Sequence, residues 1–198
     1  MSITKVNADV LDLTDGYAFT GTVTGAGSNI KEVLAMVCDG RSRTVGSGTY
    51  TPQNVTAYQD TTTSYADLTG SVLAYTPPAG TTSVIYKFDF SFGFRDTGQI
   101  THYKFFIDSD ECTDFRRQDT SAAWQPGGTR SFTYVIRIGD GTDADSGRVP
   151  SWSSAKTLKM SCRAYSTSVQ LQFHGTQYWD GTGGTHLMVP MLTITALG

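Results

Sequence analysis

The stretch from Ser83 to Asp108 constrains the fold more than any other. Tyr86, Phe88, Phe90, Phe92 and Phe94 share one parity, while Lys87, Asp89 and Ser91 hold the other. Successive strand side chains point to opposite faces, so the pattern predicts a strand with one aromatic face and one wet face. Asp96, Thr97 and Gly98 supply turn residues. Tyr103, Phe105 and Ile107 then share a parity on the return. The two arms read as a long antiparallel hairpin whose aromatic face is the floor of a core.

The remainder of the chain fits the same class. Hydrophobic residues make up 38% and aromatics 12%, among abundant Gly, Ser and Thr, which points to short strands and many turns and not to disorder. At 198 residues, one all-β domain with a sizeable core is the expectation. The net charge of -3 offers no basic field for nucleic acid or anionic lipid. No run of about 18 apolar residues exists, so membrane insertion is not expected. The first residues lack a basic and then apolar run, so no secretory signal is expected. Cys38, Cys112 and Cys162 are far apart and without CxxC spacing. That argues against a thiolate metal site, and free thiols fit assembly in a reducing cytoplasm.

Residues 1–27 differ from the rest of the chain. Val10, Leu11, Leu13, Tyr17 and Phe19 are scattered among Thr, Asp and Gly with no helical period, and the segment closes on Gly25-Ala26-Gly27. This composition predicts an extended attachment arm, ordered by lying on a partner. An ordinary first strand is the plainer account. Residues 28–198 would then be the head domain.

Within the head, Ile30 to Cys38 reads as a short helix or a buried strand, and Arg41 to Gln53 as a loop. Short strands are expected at Val55 to Asp60, Tyr65 to Leu68 and Val72 to Tyr75, the last stopped by Pro77-Pro78. Phe132, Tyr134, Ile136 and Ile138 alternate, as do Leu158, Met160, Cys162 and Ala164, and then Val169, Leu171 and Phe173. About eight or nine strands without a long helix predict an antiparallel sandwich or barrel. The last strand is apolar on both parities: Leu187, Val189 and Met191 on one, Met188, Leu192 and Ile194 on the other. One face of an antiparallel sheet is normally wet, so Leu187, Val189, Met191 and Leu192 are candidates for a subunit interface. Pro190 within this run argues for an edge or a bulge.

Few residues have the pattern of a chemical site. Asp140, Asp143 and Asp145, followed by Gly147, are a weak calcium candidate, without the Glu that an EF-hand requires; otherwise they form a solvated loop. Asp108, Asp110, Glu111 and Asp114 beside Arg116 and Arg117 read as an ion-paired surface loop. His102, His174 and His186 are isolated, no GxSxG elbow occurs, and no cofactor is expected. Trp124, Trp152 and Trp179 fall in predicted loops, Trp179 between Tyr178 and Asp180. A loop aromatic can stack on a sugar, anchor a protein contact or cap the sandwich core; Tyr178, Trp179, Asp180, Trp124 and Trp152 are the receptor-binding candidates.

Two stretches resemble structural proteins of tailed bacteriophages, particularly phages of marine cyanobacteria. The segment from Ile3 to Gly25 is similar to one repeated near the N-termini of fibre-type proteins. Tyr65-Ala-Asp-Leu-Thr-Gly, the turn from Thr76 to Ser83, and Tyr178-Trp-Asp-Gly with the closing strand from His186 carry the rest. The family carries Glu-Ile or similar near its end; here Pro190 and Met191 stand there. The resemblance implies an all-β jelly-roll head, a homotrimer, on an extended N-terminal arm that joins other virion proteins. A non-enzymatic tail fibre or fibre-like appendage that adsorbs to a host-surface glycan or protein, in a virion assembled in the host cytoplasm, is the leading expectation. A capsid decoration protein is the second, and a carbohydrate-active enzyme or lectin domain the third.

Overall fold

The computed structural model describes residues 29–94, 98–121, 127–177 and 185–198. The arm candidates Val10, Leu11, Leu13, Tyr17 and Phe19 lie outside them, as do Trp124, Tyr178, Trp179 and Asp180. In chain order the strands are β1 (Ile30–Val37), β2 (Arg43–Val45), β3 (Gly48–Tyr50), β4 (Gln59–Asp60), β5 (Ala66–Asp67), β6 (Leu73–Tyr75), β7 (Ser83–Phe94), β8 (Gln99–Ile107) and β9 (Asp110–Glu111). A 3-10 turn at Thr113–Phe115 comes next, then β10 (Arg117–Ser121), β11 (Gly128–Ile138), β12 (Arg148–Val149), β13 (Lys156–Ala164), β14 (Leu171–Phe173), β15 (Gly175–Gln177), β16 (Thr185–Leu187) and β17 (Met191–Leu197).

Two sheets form a β-sandwich, antiparallel except where β12 runs parallel to β11. The first runs β1-β17-β7-β11-β12, with β14 beside the end of β7; the second runs β10-β8-β13, with β5 and β6 against β13. Numbered along the chain, the sandwich strands β1, β6, β7, β8, β10, β11, β13 and β17 fall in the order 1-8-3-6 in one sheet and 2-7-4-5 in the other. The pairs 1-8, 2-7, 3-6 and 4-5 are those of one ribbon folded over on itself, the strand order expected for a jelly roll.

This order corrects the hairpin reading of Ser83 to Asp108. β7 pairs with β11 and β17 in one sheet, while β8 pairs with β10 and β13 in the other. The strands alternate as expected, but the two aromatic faces meet across the core and not side by side. The Tyr86 and Phe105 ring centroids lie 5.0 Å apart and those of Phe105 and Tyr134 4.4 Å apart. The physical reason is economy of cover: two one-sided aromatic strands bury both faces by facing each other, whereas laid side by side both would need cover from other strands.

Several local expectations change. Ile30 to Val37 is a strand, its parity burying Leu34 and Met36. The expected loop at Arg41 to Gln53 holds the β2–β3 hairpin, and β12 follows the Asp140 to Gly147 stretch. Gly175–Gln177 and Thr185–Leu187 pair as the β15–β16 hairpin. β17 is interior, between β1 and β7, and Pro190 lies buried just before it with its carbonyl accepting the Cys38 N–H at 2.9 Å. The chain passes Pro190 at Gly70, whose φ of +88° and lack of a side chain are both required: a Cβ would stand 2.9 Å from the Pro190 ring.

Candidate functional site

The two outer faces of the sandwich are built from different chemistry. On the second sheet the outward parity of β8 and β13 carries His102, Lys104, Phe106, Lys159 and Arg163. Most of these side chains are engaged. Lys104 donates to Glu111 at 2.7 Å and lies over the Tyr65 ring at 4.4 Å. Arg163 also lies over Tyr65, at 5.4 Å. Lys159 meets Asp67 at 3.0 Å, and Arg116 donates to Glu111 at 2.6 Å. The Arg116 hydrogen bond, helped by Lys104 and opposed by burial, holds the Glu111 carboxyl below its ordinary range. Asp108 to Arg117 is thus an ion-paired surface, as expected.

The first sheet differs. Its outward rows run across β1, β17, β7 and β11 as Val33, Thr195, Ile85, Val135; then Ala35, Thr193, Lys87, Thr133; then Val37, Met191, Asp89, Ser131. Inside these rows the charges are Lys87 and Asp89, paired at 3.0 Å. Among the described residues, every large aliphatic side chain classed as exposed (Ile30, Val33, Val37, Val135, Val189, Met191) belongs to this sheet or to the turn entering it. Where β7 leaves β17 and takes up β14, Asp89, Ser91, Thr129, Ser131, Val189 and Met191 enclose a concavity of about 390 Å³. Of the interface candidates, Met191 and Val189 lie on this surface and Leu187 is half-buried in β16. Leu192 is a correction: it is fully buried, because the even parity of β17 faces the subunit's own core.

Trp152 is a second correction. Its indole donates to the Tyr75 carbonyl at 3.1 Å and stands edge-on to the Tyr75 ring at 6.2 Å, 7% exposed, so it closes one end of the core and presents no receptor surface. Beside it Glu32 accepts from Tyr75 at 2.8 Å and from Ser47 Oγ at 2.6 Å, tying β1 to the β2–β3 hairpin and β6. Glu32 was not singled out in the sequence; its one signal was that it shares the core-facing parity of Leu34 and Met36.

The calcium candidates do not converge. Asp143 accepts from Ser146 at 2.6 Å, Asp145 from Thr113 at 2.7 Å, and Asp140 faces Arg137 at 3.5 Å. Among the described residues no group of three metal-ligating side chains forms. Next to this loop a cavity of about 230 Å³ opens between Asp108, Asp110, Arg148 and Lys156, with Ile107 and Val149 as apolar lining. It can take a small polar molecule. Its cysteine is no nucleophile, since burial pushes the Cys112 thiol up to about 12. Cys38 and Cys162 are likewise free, buried and raised to about 12.

No protein-family model and no curated protein sequence matches the chain. Among solved structures it is similar to a chain in one titled "Structure of infectious bursal disease virus Gx strain", with a TM-score of 0.36 and 10% identity over 84% of this chain. This chain spans 36% of that one.

His174 is the functional-looking residue that the sequence hid. It links β14 to β15 with φ +63°, is fully buried, and neither ring nitrogen has a hydrogen-bond partner among the described residues. Its backbone N–H donates to Ser91 and its carbonyl accepts from Met188, both at 2.7 Å. Burial lowers its pKa to about 4, and the nearby Thr69 backbone opposes that only in part, from outside hydrogen-bond geometry.

Proposed function

We propose that this chain is a non-enzymatic structural protein of a virus particle, a tail-fibre or fibre-like appendage of a tailed bacteriophage, fixed by residues 1–27. The observation that carries the proposal is the aliphatic outer face of the first sheet, whose three central rows hold a single ion pair, a surface suited to assembly and opposite one suited to water. The phage-like segment Ile3 to Gly25 and the Tyr178-Trp-Asp-Gly loop support it from the sequence. Copies of the head cover one another through this surface, which carries Val189 and Met191. Tyr178, Trp179, Asp180 and Trp124 are the side chains offered to a host glycan or protein.

Labelled protein imaged on the particle, with an adsorption assay, tests this. The proposal expects label on a fibre or appendage and blocked adsorption by free head. Label spread over the shell without blocking supports the decoration protein instead, and hydrolysis of host polysaccharide by the purified chain supports the enzyme.

A further inference from the structure

We infer that the outer face of the first sheet binds a second copy of this chain about a two-fold axis that crosses β7 between Lys87 and Asp89. The inference rests on the self-association in the proposed function and sets a two-fold contact in place of the three-fold one that the resemblance implies.

Charge chooses the axis. Lys87 and Asp89 are neighbours on one strand face, of opposite sign, in rows otherwise made of Val, Ala, Thr, Ser, Ile and Met. If two faces stack with their β7 strands parallel, Lys87 meets Lys87. If they stack antiparallel about the axis between the two residues, Lys87 meets Asp89 of the partner subunit, twice. Like charges facing in a dehydrated interface are costly and opposite charges fix register, so the antiparallel arrangement is selected.

Shape chooses the same axis. That rotation keeps β11 opposite β11 and exchanges the row of Lys87 with the row of Asp89. It therefore also lays the row of Ile85 and Val135 over the partner's Ser91 and Thr129, which pair with each other one row beyond Asp89. Those two residues line the 390 Å³ concavity, with Val189 at its side. The aliphatic row thus falls on this hollow. Small Thr, Ser and Ala side chains between them allow the close approach of about 10 Å at which sheets pack.

Area sets the strength. Four strands about 4.8 Å apart, over the length of β17, give a footprint of about 450 Å² per copy. Two such footprints approach the ~1,000 Å² at which specific interfaces begin, so a micromolar, reversible pair is expected. Closed two-fold symmetry ends the assembly at two copies.

The test is sedimentation of the full chain at micromolar concentration, alone and as two charge variants. The unmutated protein should show two copies. Lys87→Asp and Asp89→Lys should each weaken association by ~10-fold or more, because each sets like charges face to face. An equimolar mixture of the two variants should restore the two-copy mass, since one then carries two anions and the other two cations. Both positions are outward, and a thermal melt confirms that each variant is folded. A three-copy mass overturns the two-fold pairing and leaves the proposed function standing; a one-copy mass overturns both. A two-copy mass that the mixture does not restore overturns the axis.

Discussion

The two outer faces of this sandwich share a core and differ in almost everything else. On the second sheet, cations lie on aromatic rings and against carboxylates: Lys104 and Arg163 over Tyr65, Lys159 between Asp67 and Phe106. Such side chains keep their charged ends in water while their stems cover the sheet. In the three central rows of the first sheet the same positions hold Val, Thr, Ala, Ile, Ser and Met with the Lys87–Asp89 pair, and Arg137 stands one row beyond them beside Asp140. A sheet face needs cover of some kind, and the first face supplies little of its own. Under the proposed function, the difference separates the side that is finished as a subunit from the side that assembly would complete.

The largest expected effect removes what the faces share. Phe90, 3% exposed, sits among the rings of Phe88, Tyr103, Phe132 and Phe173. Phe90→Ala should destabilise the fold by about 3–5 kcal/mol in urea unfolding. A loss of only about 0.5 kcal/mol, as for an ordinary surface position, would mean that the sheets do not depend on one core.

Acid is the next lever, and it acts on one side. His174 hangs from Ser91 at the hollow of the first sheet. Its imidazole titrates near 6.5 when unfolded and about 4 when folded. Between those values the unfolded chain binds more protons, so stability is full above 6.5 and falls as the pH drops toward 4, by up to about 3 kcal/mol. His174→Asn, which tolerates positive φ and does not titrate, should flatten that limb of the unfolding curve. An unchanged slope would place the acid sensitivity elsewhere.

These two predictions also mark what was legible in the sequence. The alternation of Tyr86 to Phe92, of Tyr103 to Ile107 and of Phe132 to Ile138 named the core-facing residues, because a period of two is a direct record of which face is buried. It could not say which strand lies beside which, and the hairpin reading failed there: neighbours are set by long-range pairing, such as Val33 with Thr195. The doubly apolar closing strand was legible as a pattern, but only the structure separates Leu192 in the core from Met191 outside. Trp152 and His174 were illegible for the opposite reason. Each is one residue in a turn, and its burial depends on what distant segments bring to it.

Smaller effects sharpen the contrast. Glu111→Ala removes the anion that holds both Lys104 and Arg116 and should cost about 1 kcal/mol of stability, without changing the mass in solution. Val135→Thr on the first sheet should do the reverse: less than about 0.5 kcal/mol in unfolding of the separated subunit, with weakened association. A Val135→Thr protein that unfolds earlier but associates normally would show that the face serves the fold and not assembly.

Hydroxyl-radical footprinting across a dilution series compares the two faces in one experiment. In the single subunit Met191 is 45% exposed on the first sheet's outer face and Tyr165 64% exposed at the end of β13. If copies cover the first face, oxidation of Met191 falls as protein concentration rises through the micromolar range while oxidation of Tyr165 stays constant. Constant oxidation of both residues at every concentration would contradict the account.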